Sequence, residues 1–251
     1  MVNDVTFLVS SCDKYSDLWD PFFTNFFKFW ADCDFDVALI SNHKDFSDER
    51  VSVISIGEDL SYADNLRTAI GSISSKWILL WLDDVIFDAP VDHKKVKRII
   101  SEAEAIGAGF VKLSTDLPLV YDDKTDLLIA ELPKGIKYRS AIGLCLVQRD
   151  LLLKMAQPGL SAWDMDKSSM SDTMDEKFCA LTSLAAKNSP FSYIHAVIKG
   201  KWLYSAAPAL KKQGFSDLLK SRTRQSIFDY LYICAYQSRL YVMKIFKRYW
   251  Y

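Results

Sequence analysis

Trp77-Ile78-Leu79-Leu80-Trp81-Leu82-Asp83-Asp84 is the stretch that decides how this chain is read. Six apolar, β-compatible residues stand between polar neighbours, which marks a short buried strand rather than a helix. The run stops abruptly at two adjacent carboxylates. In an open α/β sheet, ligands collect beyond the carboxyl ends of the strands. Burying an unpaired carboxylate there is costly. A hard divalent cation carrying a phosphate is one partner that removes the cost. The other reading is that one acid caps the next helix and the second faces water.

Working outward, Val5–Ser10 reads as a first buried strand, followed by a helix from Tyr15 to Trp30. That helix carries Leu18, Trp19, Phe22, Phe23, Phe26, Phe27 and Trp30 at helical spacing, with Pro21 tolerated in its first turn. Strands follow at Asp36–Ile40 and Val51–Ile56, a helix at Tyr62–Ile73, the Trp77–Leu82 strand, a helix near Asp92–Ile106 and a strand at Gly109–Leu113. This alternation predicts an α/β fold with a mostly parallel, covered sheet. Beyond residue 115 the pattern predicts strands at Asp126–Leu132, Ser140–Val147 and Phe191–Ile198. Helices are expected at Asp150–Ala156 and Asp172–Lys187.

The chain has 251 residues, half of them hydrophobic and 14% aromatic, enough for a substantial core. Its net charge of −1 gives no general pull toward nucleic acid, but the charge is unevenly spread. Residues 211–251 hold nine Lys/Arg against two Asp, a net +7, which leaves −8 on residues 1–210. The five cysteines (Cys12, Cys33, Cys145, Cys179, Cys234) form no C-x-x-C pair. They read as reduced thiols in a cytoplasmic setting, against a disulfide framework or a zinc site. Met1 leads directly into a strand-like segment, so no secretory leader is expected. No stretch approaches the ~18–20 apolar residues of a membrane span.

Four stretches, Ser11–Phe23, Trp77–Phe87, Gln148–Asp164 and Ala196–Trp202, resemble in their order the GT-A-type glycosyltransferases. More narrowly, they resemble bacterial enzymes that build surface polysaccharides such as capsule and lipopolysaccharide. The resemblance spans roughly residues 5–205. It implies a GT-A-like (Rossmann-like) mixed, mostly parallel sheet flanked by helices, and a hexosyltransferase type of activity. In that family an Asp-x-Asp motif holds Mn2+ or Mg2+, which bridges the donor diphosphate. By resemblance Asp84 is the metal ligand, Asp83 a sugar or ribose contact, and His195 a further metal or phosphate ligand. This chain departs from the strict motif, because Leu82 stands where the first Asp would be.

The same resemblance assigns the loop of Ser11, Cys12, Asp13 and Tyr15 to the nucleotide, with Asn65 a weaker candidate at the start of its helix. The competing reading is an ordinary helix start capped by Ser11 or Asp13. Asp164 is the first candidate for a general base that takes the acceptor's proton in an inverting reaction, and Asp166 the second. Trp163 is a platform for a sugar face. These acids could equally be capping or solvated. Lys199, Lys201 and Trp202 lie in a Gly-containing loop suited to close over the diphosphate, Lys acting as a mobile point charge. His195, on a half-apolar strand, has a purely structural reading as well.

The predicted division is a catalytic domain at 1–210 and a basic, aromatic-rich helical tail at 211–251, which contains ten aromatics. Ile227, Leu231, Cys234, Tyr241 and Ile245 fall near one helical face, and Lys220, Arg222, Arg224, Arg239, Lys244, Lys247 and Arg248 supply charge. Such a basic amphipathic helix suits an anionic membrane surface; packing onto the core or a dimer contact are the alternatives. No nucleic-acid module accompanies it. The expectation is therefore a cytoplasmic enzyme, peripheral at the inner membrane, that moves a sugar from a UDP-linked donor to a hydroxyl of a lipid-linked glycan. A metal-dependent nucleotidyltransferase or phosphohydrolase, and a non-catalytic sugar-nucleotide-binding protein, are the competing classes.

Overall fold

The computed structural model describes residues 4–116, 121–167 and 169–245. In chain order the elements are β1 (Val5–Ser10), α1 (Trp19–Phe29), β2 (Asp36–Ser41), β3 (Ser52–Ser55), α2 (Tyr62–Gly71), β4 (Trp77–Leu82), β5 (Val85–Phe87), α3 (His93–Ala105) and β6 (Ala108–Lys112). They continue with β7 (Ile129–Glu131), β8 (Cys145–Gln148), α4 (Arg149–Met155), α5 (Ala162–Lys167), β9 (Lys177–Leu181) and α6 (Ser183–Lys187). The remainder are β10 (Tyr193–His195), β11 (Val197–Ile198), β12 (Lys201–Trp202), α7 (Ala206–Lys212) and α8 (Ile227–Ile245).

Eight strands form one mixed sheet in the order β3-β2-β1-β4-β8-β6-β9-β7. Four of its seven pairings are parallel, so the mostly parallel sheet expected from the alternation is present. The chain runs outward from β1 through β2 to β3, then returns to the other side of β1 as β4. The crevice between the carboxyl ends of β1 and β4 is thus a topological switch point, where open α/β sheets hold ligands.

Strand periodicity sorts the apolar side chains onto two faces. Phe7, Val9, Leu79 and Trp81 join α1 and α3 in one cluster, while Leu8, Ile78 and Leu80 join α2 and α4 in the other. The first face is unusually aromatic: Trp81 and Phe87 stack at 4.6 Å, and Phe7 meets Phe26 at 4.7 Å. Truncating a buried ring of this kind costs about 3–5 kcal/mol. The cluster also fixes the turn after β4, because the Trp81 indole N–H donates to the carbonyl of Val85 at 2.7 Å.

Several elements differ from the sequence reading. The segment 172–187 is not one helix. A 3-10 turn (Ser169–Thr173) leads into β9, and only Ser183–Lys187 is helical. Phe178 to Leu181 are buried on both sides of the sheet between β6 and β7, a burial that no single helical stripe provides. The expected Phe191–Ile198 strand breaks in two. Tyr193–His195 pairs with β5, while Val197–Ile198 turns back onto Lys201–Trp202. The expected Tyr15–Trp30 helix starts as a 3-10 turn at Asp13. The Asp126–Leu132 and Ser140–Val147 strands are shorter than read.

Phe215, Leu218 and Leu219 pack on the α1/α3 face of the core, and α8 follows with Ile227, Phe228, Leu231 and Tyr232 exposed. Among the described residues no helix is long and apolar enough to cross a membrane. The side chains of Tyr241, Lys244 and Ile245, and the whole of residues 246–251 with Lys247 and Arg248, lie outside what the structure describes.

Candidate active site

The two acids occupy the turn between β4 and β5, directly beyond the switch point. Register pairs Ser10 with Leu82, so Ser11 and Asp83 emerge side by side. The Ser11 hydroxyl donates to Oδ2 of Asp83 and accepts the Trp19 indole N–H at 2.7 Å. Asp84 is held through its backbone, whose carbonyl accepts the Ala196 N–H at 2.7 Å. The corner is fixed from three sides: β1, the Trp81 indole and the β10–β11 connection.

Asp83 is buried and Asp84 half-buried. Burial raises the carboxyl of Asp83 well above its ordinary range, and the neighbouring Asp84 raises it further. Burial likewise pushes Asp84 up to about 6, against the opposing pull of His195. Two crowded, desolvated carboxylates with hard oxygen donors fit a divalent cation, whose charge relieves both. Among the described residues no three His, Cys, Asp or Glu side chains are placed to cage a metal on their own.

His195, on β10 opposite Val85, does stand beside this corner. Its Nε2 lies 3.2 Å from Oδ1 of Asp116. Asp116 also accepts hydrogen bonds from Ser114 Oγ at 2.7 Å and Tyr193 Oη at 3.2 Å. Burial disfavours the charged imidazole, yet the Asp116 hydrogen bond and charge raise it above its usual value overall. Asp116 was not anticipated from the sequence; it follows β6 in a loop with no motif.

The expected nucleotide loop divides in two. The Asp13 carboxylate binds the Ser41 hydroxyl at 2.9 Å and the backbone N–H groups of Asn42, His43 and Lys44 at 3.0–3.2 Å. It therefore ties the β1 loop to the β2 loop. Cys12 is partly buried and its carbonyl accepts the Tyr15 N–H at 2.9 Å. Tyr15 faces the site, and its ring carries the Arg222 guanidinium at 4.3 Å. Asn65 bonds Leu60 N–H and Asp59, so it ties down its own loop at α2.

The two base candidates separate. Asp164 is exposed and exchanges hydrogen bonds with Ser161 at the start of α5, the capping arrangement. Asp166 turns inward: its Oδ1 accepts the Ile142 N–H at 2.9 Å, and its charge acts on the partly buried Tyr62 and the buried Lys112. Lys112, at the carboxyl end of β6, is buried with its ammonium disfavoured by desolvation. A lone Lys in an apolar strand gave no signal that could have found it.

Lys199 and Gly200 form the two-residue turn of the β11–β12 hairpin, with φ of 51° and 74°. Both residues being left-handed is what such a turn requires. Lys199 and Lys201 are exposed, whereas Trp202 is wholly buried and its indole N–H has no partner among the described residues. Gly200 reaches the rim of a cavity of about 640 Å3 whose walls include Lys14, Ser16, Asp17, Lys44 and Arg222. Arg222 arrives from the segment before α8. Its Nε donates to Asp17 at 2.8 Å and its Nη2 donates to the same carboxylate and, at 3.1 Å, to the Lys14 carbonyl. Its charge acts on both Asp83 and Asp84.

No family model matches the chain, and neither does any curated protein. Among solved structures it is similar to S. aureus TarS 1–349, at 10% identity over 74% of this chain and 62% of that one, TM-score 0.45. It is also similar to the mannosyltransferase PcManGT from Pyrobaculum calidifontis, solved with GDP-Man and Mn2+ (12% identity, 71% and 54% coverage, TM-score 0.45). A third is glucosyl-3-phosphoglycerate synthase from Mycobacterium tuberculosis, solved with Mn2+, UDP-glucose and phosphoglyceric acid (12%, 68% and 65%, TM-score 0.43). The chain spans less than two thirds of each of these three.

Proposed function

We propose that this chain is a GT-A-type glycosyltransferase that moves a sugar from a nucleotide-diphosphate donor, UDP-linked, to a hydroxyl acceptor. The observation that carries the reading is the acid pair Asp83–Asp84 at the switch point between β1 and β4, within the field of Arg222, which lines a cavity together with Lys14, Lys44, Asp13 and Asp17. A leaving nucleoside diphosphate develops negative charge, and that is the charge such a corner handles when a cation is present. Asp84 would be the metal ligand, with His195 beside it. Bound there, Mn2+ or Mg2+ supplies Lewis-acid neutralisation of the departing diphosphate.

Asp83, held by Ser11, contacts the ribose or the sugar. Tyr15 gives the nucleotide a ring face, and Lys199 closes from the hairpin. Asp166, the inward-facing acid of α5, takes the acceptor's proton in an inverting reaction; Asp164 has its carboxylate engaged in the helix cap. The acceptor is a lipid-linked glycan of a surface polysaccharide. α8, with its exposed Phe228, Leu231 and Tyr232 and its basic residues, rests on the cytoplasmic face of the inner membrane. Residues 1–210 carry the chemistry in this scheme and 211–251 the attachment, Arg222 apart.

The test is a thermal-shift screen of nucleotide sugars with and without Mn2+. A ligand that binds the folded state raises its melting temperature by mass action. A donor-selective, metal-dependent shift that disappears in Asp84→Ala supports the assignment. An Asp84→Ala protein that transfers sugar at the wild-type rate overturns it.

A further inference from the structure

We infer that Arg222, delivered by the segment between α7 and α8, is the residue that receives the terminal phosphate of the donor diphosphate. The inference rests on the nucleotide-donor reading above and deepens it. A guanidinium offers five N–H donors in a fixed fork. In Arg222, Nε and Nη2 are committed to Asp17 and to the Lys14 carbonyl, while Nη1 makes no hydrogen bond to any described residue. Two N–H donors are therefore left over on a side chain only 9% exposed, at the wall of the 640 Å3 cavity.

Its position is held with unusual firmness for an arginine. Asp17 grips it in two places, the Tyr15 ring lies 4.3 Å beneath it, and Ser221 Oγ donates to Asp17 at 2.8 Å. The backbone that follows is laced to β12: Trp202 N–H donates to the Thr223 carbonyl, and Gln225 N–H to the Trp202 carbonyl, both at 2.9 Å. A guanidinium held this way has little left to lose in entropy when its remaining Nη1 group donates to an oxyanion. The Lys14 and Lys44 side chains belong to the same cavity, and Arg222's field reaches the acid pair. An anion bridging the cation corner and Arg222 has two negatively charged groups to share between them. A diphosphate carries two such groups, a monophosphate one.

The experiment is calorimetric titration of UDP, UMP and inorganic pyrophosphate, at fixed Mg2+, into the full-length wild type, Arg222→Gln and Arg222→Lys. Losing a charge-assisted pair of this kind weakens binding about ten- to a hundredfold. The expected result is that loss for UDP and pyrophosphate in Arg222→Gln, with UMP changed less than about threefold and Arg222→Lys intermediate. Equal losses for all three ligands make Arg222 a purely structural tie and overturn the inference, as does unchanged UDP binding. Arg222-dependent pyrophosphate binding with no nucleotide binding upholds the anion site and overturns the nucleotide-donor reading instead. No binding of any of the three to the wild type overturns both.

Discussion

Ser11 and Asp83, 72 residues apart, are joined by a hydrogen bond from the Ser11 hydroxyl to the buried carboxylate of Asp83. That bond links the residue after β1 to the residue after β4, across the crevice where the sheet reverses its order. A carboxylate so deeply buried survives in the site because something donates to it.

Removing that donor has a definite consequence. Ser11→Ala leaves a buried carboxylate and the Trp19 indole N–H without their partner. The expected cost is about 1–3 kcal/mol of folding stability. Denaturant unfolding at pH 7 measures it, and a midpoint unchanged from wild type rejects this account of the corner.

Asp84 sets a pH dependence whose sign follows from its burial. Its folded-state carboxyl lies near 6, above its unfolded value, so in the metal-free protein its contribution is fully present below the unfolded pKa. It is lost as pH rises from about 4 through about 6. Asp84→Asn is therefore expected to be more stable than the wild type at pH 7, by about 1–3 kcal/mol, and to lack that step in a stability-versus-pH series. A variant less stable at pH 7 than the wild type contradicts the crowding described here.

The two acids of α5 are expected to behave differently. Asp166→Asn lowers turnover about 10²–10⁴-fold, the usual contribution of a general base. Asp164→Ala costs about 0.5–2 kcal/mol as a lost capping interaction and leaves the rate near wild type. Initial rates and melting curves on both variants distinguish the roles; the reverse pattern returns the base to Asp164.

Deleting residues 226–251 removes α8 together with the residues beyond it. Phe228, Leu231 and Tyr232 are exposed, so their loss takes little buried surface from the core. The core melting temperature is expected to stay within a few degrees, while co-sedimentation with vesicles containing anionic lipid disappears. Cosedimentation equal to that of the full chain would remove α8 from the membrane scheme.

What the residues alone determined about this protein was local: the Trp77–Leu82 strand, the alternation that makes a mixed, mostly parallel sheet, and the acids that close its fourth strand. Those features rest on the spacing of side chains along a few neighbouring residues, and that spacing is written in the chain. The segment 172–187 departs from the helix its pattern predicts because Phe178–Leu181 become a strand only by lying between β6 and β7, a burial set by distant partners. The same holds for the site. Asp13 and Asn65 carry the right chemistry for a ligand, but the loops that fold over them take their hydrogen bonds. Asp116, Lys112, Asp17 and Arg222 belong to no motif, and Arg222 sits 205 residues from the carboxylate that holds it. Only the folded chain decides such pairings, because a charge becomes part of a site through what stands within a few ångströms of it, and sequence distance does not limit that.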